Sequence, residues 1–275
     1  MDISDKRIDA GKPFDWGKAS SDYAQYRDIY PEEFYRRIVD KGLCVAGQRI
    51  LDLGTGTGVL PRNLYRFGGI WTGTDISPEQ IKQARHLSES AGIEIAFHAV
   101  SAERLSFPEG SFDVITACQC FWYFDHERVL PKLASLLRFG GKLVILYMAW
   151  LPSEDRIAGE SESLILKYSP DWSGAGEYRH PIAIPAVAYE YFELESHEEY
   201  DLMVPFSKES WHGRIRASRG IGASLPEDKL AAWDAEHREL LDRIAPEQFD
   251  VKHYAAMAVL RKKDYLRNTN ESHSL

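Results

Sequence analysis

Three glycines alternate with threonines in the stretch Ile50-Leu51-Asp52-Leu53-Gly54-Thr55-Gly56-Thr57-Gly58, directly after a short apolar run carrying an aspartate. A second acid, Asp75, follows about 20 positions after Gly54, at the end of the next apolar run, Ile70 to Asp75. A strand, a glycine turn, a helix and then a carboxylate at this distance form the general pattern for nucleotide binding. Asp75 is placed to accept hydrogen bonds from both hydroxyls of a ribose. The glycines let the backbone approach the ligand.

The details disfavour a dinucleotide. In G-x-G-x-x-G the third glycine falls at position 59, which is Val59; here it is Gly58. A dinucleotide turn also delivers helix amides to a pyrophosphate, and Asp52 beside such a turn would repel the ligand. S-adenosylmethionine has no phosphate and carries a sulfonium and an ammonium, so a nearby carboxylate suits it.

The surrounding elements must hold these residues in place. Amphipathic and apolar stretches alternate from about 48 to 149. Strands are expected near 49–54, 70–75, 93–100, 112–120 and 142–150, and helices over 59–67, 77–92 and 126–141. Ser77 can cap the helix at 77–92, Pro78 fits its first position and Gly92 can end it. This alternation predicts a doubly wound α/β fold around a mostly parallel sheet. After 150 the rhythm breaks into a Gly-, Ser-, Pro- and aromatic-rich stretch. A strand at 198–206, helices over 208–219 and 226–244, and a last strand at 249–262 follow.

With these residues in view, the chain resembles the class I S-adenosylmethionine-dependent methyltransferases. Asp52-Leu53-Gly54-Thr55-Gly56-Thr57-Gly58 matches their first motif, D/E-x-G-x-G-x-G, and Gly73-Thr74-Asp75-Ile76-Ser77 matches their second, G-x-D-x-S. Phe107-Pro108-Glu109-Gly110-Ser111-Phe112-Asp113-Val114 and Leu137-Arg138-Phe139-Gly140-Gly141-Lys142-Leu143 match the entries to their fourth and fifth strands. The opening Tyr23-x-x-Tyr26-Arg27-x-x-Tyr30-Pro31 and the run Trp122-Tyr123-Phe124-Asp125 are similar to the small-molecule subgroup that includes trans-aconitate methyltransferases.

The resemblance implies a seven-stranded sheet with the last strand antiparallel between its neighbours. It implies one methyltransferase domain over 1–275, with an N-terminal lid segment (1–41), a cofactor-binding core (42–150), substrate-lid insertions (151–190 and 207–245) and a flexible tail (265–275). S-adenosylmethionine would be the methyl donor and S-adenosylhomocysteine the product. Gly54, Thr55, Gly56 and Gly58 would face the methionine part, with Asp52 nearby and Gln119 offering its backbone to the ammonium. Asp75 would hold the ribose, Ile76 would pack on adenine, and Ser101 and Ala102 would meet its edge, a serine standing where the family places an aspartate. Tyr23 and Arg27 belong to the cofactor lid.

The remaining candidates face the acceptor. Trp122, Tyr178, Trp211 and Arg214 are candidate substrate-binding residues, and Tyr178, His180 and His212 are candidate general bases. Methyl transfer from a sulfonium can proceed without a base, by alignment and exclusion of water. Arg216 and Arg219 can share a solvated helix face, whereas at about 100° per residue Arg214 must point elsewhere. An arginine directed under a lid suits a small acceptor with an apolar or aromatic body and an acidic group.

The net charge of −9 argues against a nucleic-acid partner. The longest apolar run, Leu143 to Leu151, is too short to span a bilayer, and the acidic opening is no secretion signal, so a cytoplasmic protein is expected. Cys44, Cys118 and Cys120 read as reduced thiols rather than metal ligands. The expected activity is methyl transfer to a small molecule. An RNA or protein methyltransferase, or a non-catalytic cofactor-binding protein, are the alternatives on the same fold.

Overall fold

The computed structural model describes residue 6, residues 8–176, residue 179 and residues 181–263. Its centre is a seven-stranded sheet built from β1 (Arg49–Leu53), β2 (Ile70–Asp75), β3 (Ala96–Ala99), β4 (Phe112–Cys118), β5 (Leu137–Trp150), β6 (Phe192–Ser207) and β7 (Gln248–Lys262). The strand order is β3-β2-β1-β4-β5-β7-β6. The first five strands pair in parallel, while β7 runs antiparallel between β5 and β6. The expected sheet and the placement of its last strand are therefore observed.

Alternation along the central strands produces a core on each face. Val144, Leu146, Met148 and Trp150 of β5 join Val251, Ala255, Met257 and Val259 of β7 on one side. Leu143, Ile145 and Tyr147 join Tyr254, Ala256, Ala258 and Leu260 on the other. The first face is covered by α2 (Glu32–Val39), α3 (Val59–Leu64), α6 (Arg156–Tyr168), α8 (Lys208–Arg216) and α9 (Glu227–Ile244); the second is covered by α5 (His126–Leu136) and α7 (Ala188–Tyr191). Among the described residues, no helix is long and apolar enough to cross a membrane.

Several boundaries differ from the sequence expectation. Helix α4 (Pro78–Ser90) has the expected cap, Ser77 Oγ accepting from the Gln80 amide. Strand β3 is shorter than expected and β6 longer, because β6 pairs with β7 from Phe192 onward. The stretch after 150 holds an unforeseen helix, α6, whose N-terminus is capped by Asp155 Oδ1 accepting from Ala158 N at 3.0 Å. Its buried face (Ala158, Ser161, Glu162, Leu164, Ile165) is partly polar, which hid the helical period. Helix α8 ends at Arg216, so Arg219 belongs to the turn beyond it.

The N-terminal helix α1 (Ser20–Tyr26) lies on α8. The Tyr26 ring sits so close to Gly213 that a Cβ there would fall 2.2 Å from it. Below this contact lies a buried polar chain. Arg216 bridges Asp22 and Asp234, and His212 Nε2 lies 3.2 Å from Asp234 Oδ1. The two Nδ1 atoms of His212 and His237 are 2.9 Å apart, and His237 Nε2 reaches Ser161 Oγ at 3.1 Å. Both rings stack with Trp233.

Burial pushes His212 down to about 4 and His237 down to about 3. Folded values below the unfolded 6.5 mean that protons favour the unfolded chain. Stability from these neutral rings is full above pH 6.5 and is lost as the pH falls toward the folded values. His237→Asn removes one such group. Urea unfolding from pH 6 to 4 should then lose stability less steeply than the wild type, by up to about 1.4 kcal/mol per pH unit. Parallel pH dependences in the two proteins would show that His237 takes up its proton freely in the fold.

Candidate active site

The glycine turn follows β1 and opens at the carboxyl ends of β1, β2 and β4, where the strand order reverses and α/β sheets place their ligands. Its amides are turned inward. Thr55 N donates to the Thr74 carbonyl at 2.9 Å, Gly56 N to Asp75 Oδ2 at 2.9 Å, and Gly58 N to the Thr55 carbonyl at 2.9 Å. Three donors that a pyrophosphate would need are thus committed within the protein. Asp75 Oδ1 accepts from Ser77 N at 2.8 Å, which fixes the carboxylate at the start of α4. Burial raises the Asp75 pKa, and the two amide donors oppose that shift.

Two adjoining cavities open here. The first, of about 220 Å³, is lined by Gly54, Gly56, Thr74, Asp75, Ile76, Val100, Ser101, Ala102 and Glu103 from the sheet end, together with Phe14, Gln80, Cys118, Cys120 and Phe124. The second, of about 350 Å³, is lined by Arg27, Trp122, Tyr147, Met148, Trp150, Trp172, Arg214 and Arg219, among others. Ile8, Trp16, Tyr23, Gln119 and Tyr123 line both and form the partition between them. Gln119 ends β4 with a left-handed backbone (φ 64°), uncommon for a residue with a side chain.

The two cavities differ in charge. The first has two carboxylates, Asp75 and Glu103, and neither lysine nor arginine among its described lining residues. Among its described lining residues the second has three arginines and no carboxylate. The first therefore suits a neutral or cationic nucleoside and is unsuited to a string of phosphates.

The N-terminal segment roofs both. Tyr23 lies over the turn, its ring 3.4 Å from where a Gly56 Cβ would stand. Arg27 donates to Tyr23 Oη at 3.1 Å and lies over the same ring. Asp15 N donates to the Ala223 carbonyl at 2.9 Å, and Gln80 Nε2 to the Trp16 carbonyl at 3.3 Å. Arg219 fastens the cover by pairing with Asp9 at 2.7 Å.

Several site expectations are corrected. Asp52 does not line the cavity. It is buried beneath the turn, Thr116 Oγ1 donates to it at 2.6 Å, and burial pushes it up to about 7, so it ties β1 to β4 rather than serving as a full counter-charge. Thr55 and Gly58 are not among the residues lining the cavity: the Thr55 amide is bonded to the Thr74 carbonyl, and Gly58 stands at the start of α3. Arg27 lines the second cavity, not the first. Trp211 is a core residue: it is fully buried and its Nε1 donates to Ser161 Oγ at 2.9 Å. His212, locked in the buried chain under α1, reaches neither cavity and is no base. Arg216 and Arg219 are not solvated but ion-paired, with Asp22 and Asp234 and with Asp9 respectively. Tyr178 and His180 lie outside the described residues.

Trp122 and Arg214 do line the second cavity, and Tyr23, Ile76, Ser101, Ala102 and Gln119 line the first. Sequence reasoning missed Phe14, Trp16, Gln80, Cys118 and Cys120, whereas Trp172, an aromatic of the insertion expected to roof the acceptor, does line the second cavity. The cysteines carried a signal, being small residues at the end of β4. Cys120 Sγ donates to the Leu53 carbonyl at 3.1 Å, directly against the glycine turn.

Residues 51–145 match the family described as "Methyltransferase domain". This segment carries the glycine turn and Asp75. A demethylmenaquinone methyltransferase of Thermus thermophilus is 41% identical over 114 residues, covering 40% of this chain and 52% of that protein. A ubiquinone biosynthesis O-methyltransferase of Xanthomonas euvesicatoria is 32% identical over 134 residues, covering 48% of this chain and 56% of that protein. The chain thus spans about half the length of these curated relatives. A crystal structure of a Bacillus halodurans C-125 protein covers 84% of this chain and 100% of that one, with a TM-score of 0.52 at 15% identity, a likeness of fold. The matched segment is similar to a methyltransferase domain.

Gly54 is the turn position least open to change. Its φ is +55°, and a Cβ would stand 2.7 Å from Cys120 Cβ and 2.8 Å from its Sγ. Gly54→Ala should cost about 1–3 kcal/mol in urea unfolding, from backbone strain and collision together. An unchanged unfolding midpoint would mean that Cys120 and the turn separate freely.

Proposed function

We propose that the chain transfers the methyl group of S-adenosylmethionine to a small-molecule acceptor. The observation that carries this reading is the pair of adjoining cavities of opposite charge, divided by a shared partition. The first fits the donor: two carboxylates, no cation and a glycine floor suit a nucleoside with a positively charged chain. Asp75 would accept from the ribose hydroxyls. Ile76, Ser101 and Ala102 would enclose the base, and Gly54, Gly56 and Gln119 the methionine part. When bound, this cofactor supplies an electrophilic methyl on sulfur. With an acceptor in the second cavity, that methyl would pass to its nucleophilic atom as the carbon–sulfur bond broke, leaving S-adenosylhomocysteine held by the same residues.

The chain's own contribution is alignment and dryness. Trp16, Tyr23 and Tyr123 stand where the two cavities meet and would exclude water from the line of attack. Among the described residues, the second cavity is lined by no histidine and no carboxylate. Holding donor and acceptor in line at close range is therefore the main source of acceleration. Trp122, Tyr147, Trp150 and Trp172 give the second cavity aromatic walls. These suit a ring-bearing acceptor, as do two relatives named for menaquinone and ubiquinone biosynthesis. The finer resemblance to trans-aconitate methyltransferases remains part of this proposal, as does the assignment of 207–245 to the substrate lid.

Titration calorimetry on the full chain tests the donor. S-adenosylmethionine and S-adenosylhomocysteine should bind and NAD should not. Asp75→Ala should weaken both by about ten- to a hundredfold, the loss of hydrogen bonds to a charged group worth roughly 1.5–3 kcal/mol. Binding of NAD equal to that of S-adenosylhomocysteine, or unaltered affinity in a folded Asp75→Ala protein, would overturn the reading.

A further inference from the structure

The arginines of the second cavity are not equivalent. Arg219 is neutralised by Asp9 and braced by Tyr123. Among the described residues, Arg214, on α8, has no carboxylate partner. Its side chain is buried, only 5% of the residue is exposed, and neither Nε nor Nη1 has a hydrogen-bond partner. Its guanidinium is held 4.8 Å above the Trp150 ring, which supplies orientation but no counter-charge. The guanidinium of the nearby Arg27 donates to a phenol oxygen, that of Tyr23, and is paired with no carboxylate among the described residues. Burial and then the positive charge of Arg27 push the Arg214 pKa well below its ordinary value.

A desolvated guanidinium with open donors is costly to leave unpaired, and in a chain of net charge −9 carboxylates were plentiful. None stands among the described residues lining this cavity. The missing partner is best supplied by a ligand. Arg214 and Arg27 line the second cavity and not the first, Arg27 resting against Tyr23 of the partition. An anion held by Arg214 would lie in the second cavity, outside the set of residues that lines the first.

Resting on the methyltransferase reading, we propose that Arg214 is the specificity-determining anchor for a carboxylate on a ring-bearing acceptor, and that the methyl is accepted at a different atom, near the partition. The carboxylate lies against the guanidinium with the ring among Trp122, Trp150 and Trp172. The anchored oxygens are poor nucleophiles, because their lone pairs face the cation. The methyl–sulfur bond breaks as the new bond forms at a hydroxyl, amine or carbon elsewhere on the acceptor, which gives up one proton if it reacts in neutral form. The product is an ether, amine or C-methyl compound that keeps its carboxylate, and not a methyl ester.

Calorimetry with benzoate, its neutral analogue benzamide and inorganic phosphate tests the anchor, in the presence and absence of S-adenosylhomocysteine. Benzoate should bind the wild type at least about tenfold more tightly than benzamide, since a charge-assisted pair is replaced by a neutral contact. Arg214→Gln should bring the two within about threefold and leave S-adenosylhomocysteine affinity unchanged; Arg214→Lys should restore part of the preference. Equal binding of benzoate and benzamide to the wild type overturns the anchor and needs no variant to fold. Phosphate binding more tightly than benzoate overturns the carboxylate. An Arg214→Gln protein that loses S-adenosylhomocysteine affinity as strongly as benzoate would show that the cofactor's own carboxylate is the partner. Preference for benzoate in a chain that binds no S-adenosylhomocysteine would uphold the anchor and overturn the methyltransferase reading. For turnover, hydroxybenzoates with labelled donor should give base-stable methoxybenzoates; base-labile methyl esters would overturn the second half of the proposal.

Discussion

The hydrogen bond from Gly56 N to Asp75 Oδ2 is the contact on which the rest of the site depends. It joins the turn after β1 to the end of β2, and the other Asp75 oxygen takes the Ser77 amide at the start of α4. One carboxylate thus fixes three elements around the first cavity. It also commits backbone donors that would otherwise invite phosphate. Asp75 also lines the first cavity, where the proposed donor would place its ribose.

A second set of polar contacts positions the cover. Asp22, Arg216, Asp234, His212, His237 and Ser161 run from α1 through α8 and α9 to α6. Buried polar chains of this kind are favourable only when each member keeps its partner, so they select a single packing of the helices. Trp211 also donates to Ser161 and packs edge-on against Trp150 at 5.8 Å. Trp150 in turn carries the Arg214 guanidinium. The histidine reaches no cavity, yet its helix sets where the unpaired arginine points.

The fold and the donor half of the site were legible because their signals are local. The glycine turn, Asp75 and the Ser77 cap lie within two consecutive strand–helix units, where spacing along the chain maps directly onto spacing across the sheet. The same logic misread Asp52. A carboxylate beside the turn in sequence is beneath it in space, since β1 alternates faces and Thr116 on β4 claims the side chain. Trp211 and His212 were misread for a related reason: a helix in an inserted segment shows which residues are amphipathic, not which side meets the cavity.

By itself the sequence determined the parallel sheet, the strand inserted last, the glycine turn after β1 and the acid at the end of β2 that stands beside it. These follow from periodicity, from glycine's access to positive φ and from short-range spacing. Only the tertiary structure decided which of three arginines lacks a partner. Arg219 meets Asp9 and Arg216 meets Asp22 across most of the chain's length, and no pattern along the chain encodes pairings of that range. Arg214 is left over because packing places it on Trp150, at the wall of a cavity without an acid. Its charge was written in the sequence, but its lack of a counter-charge came from the fold.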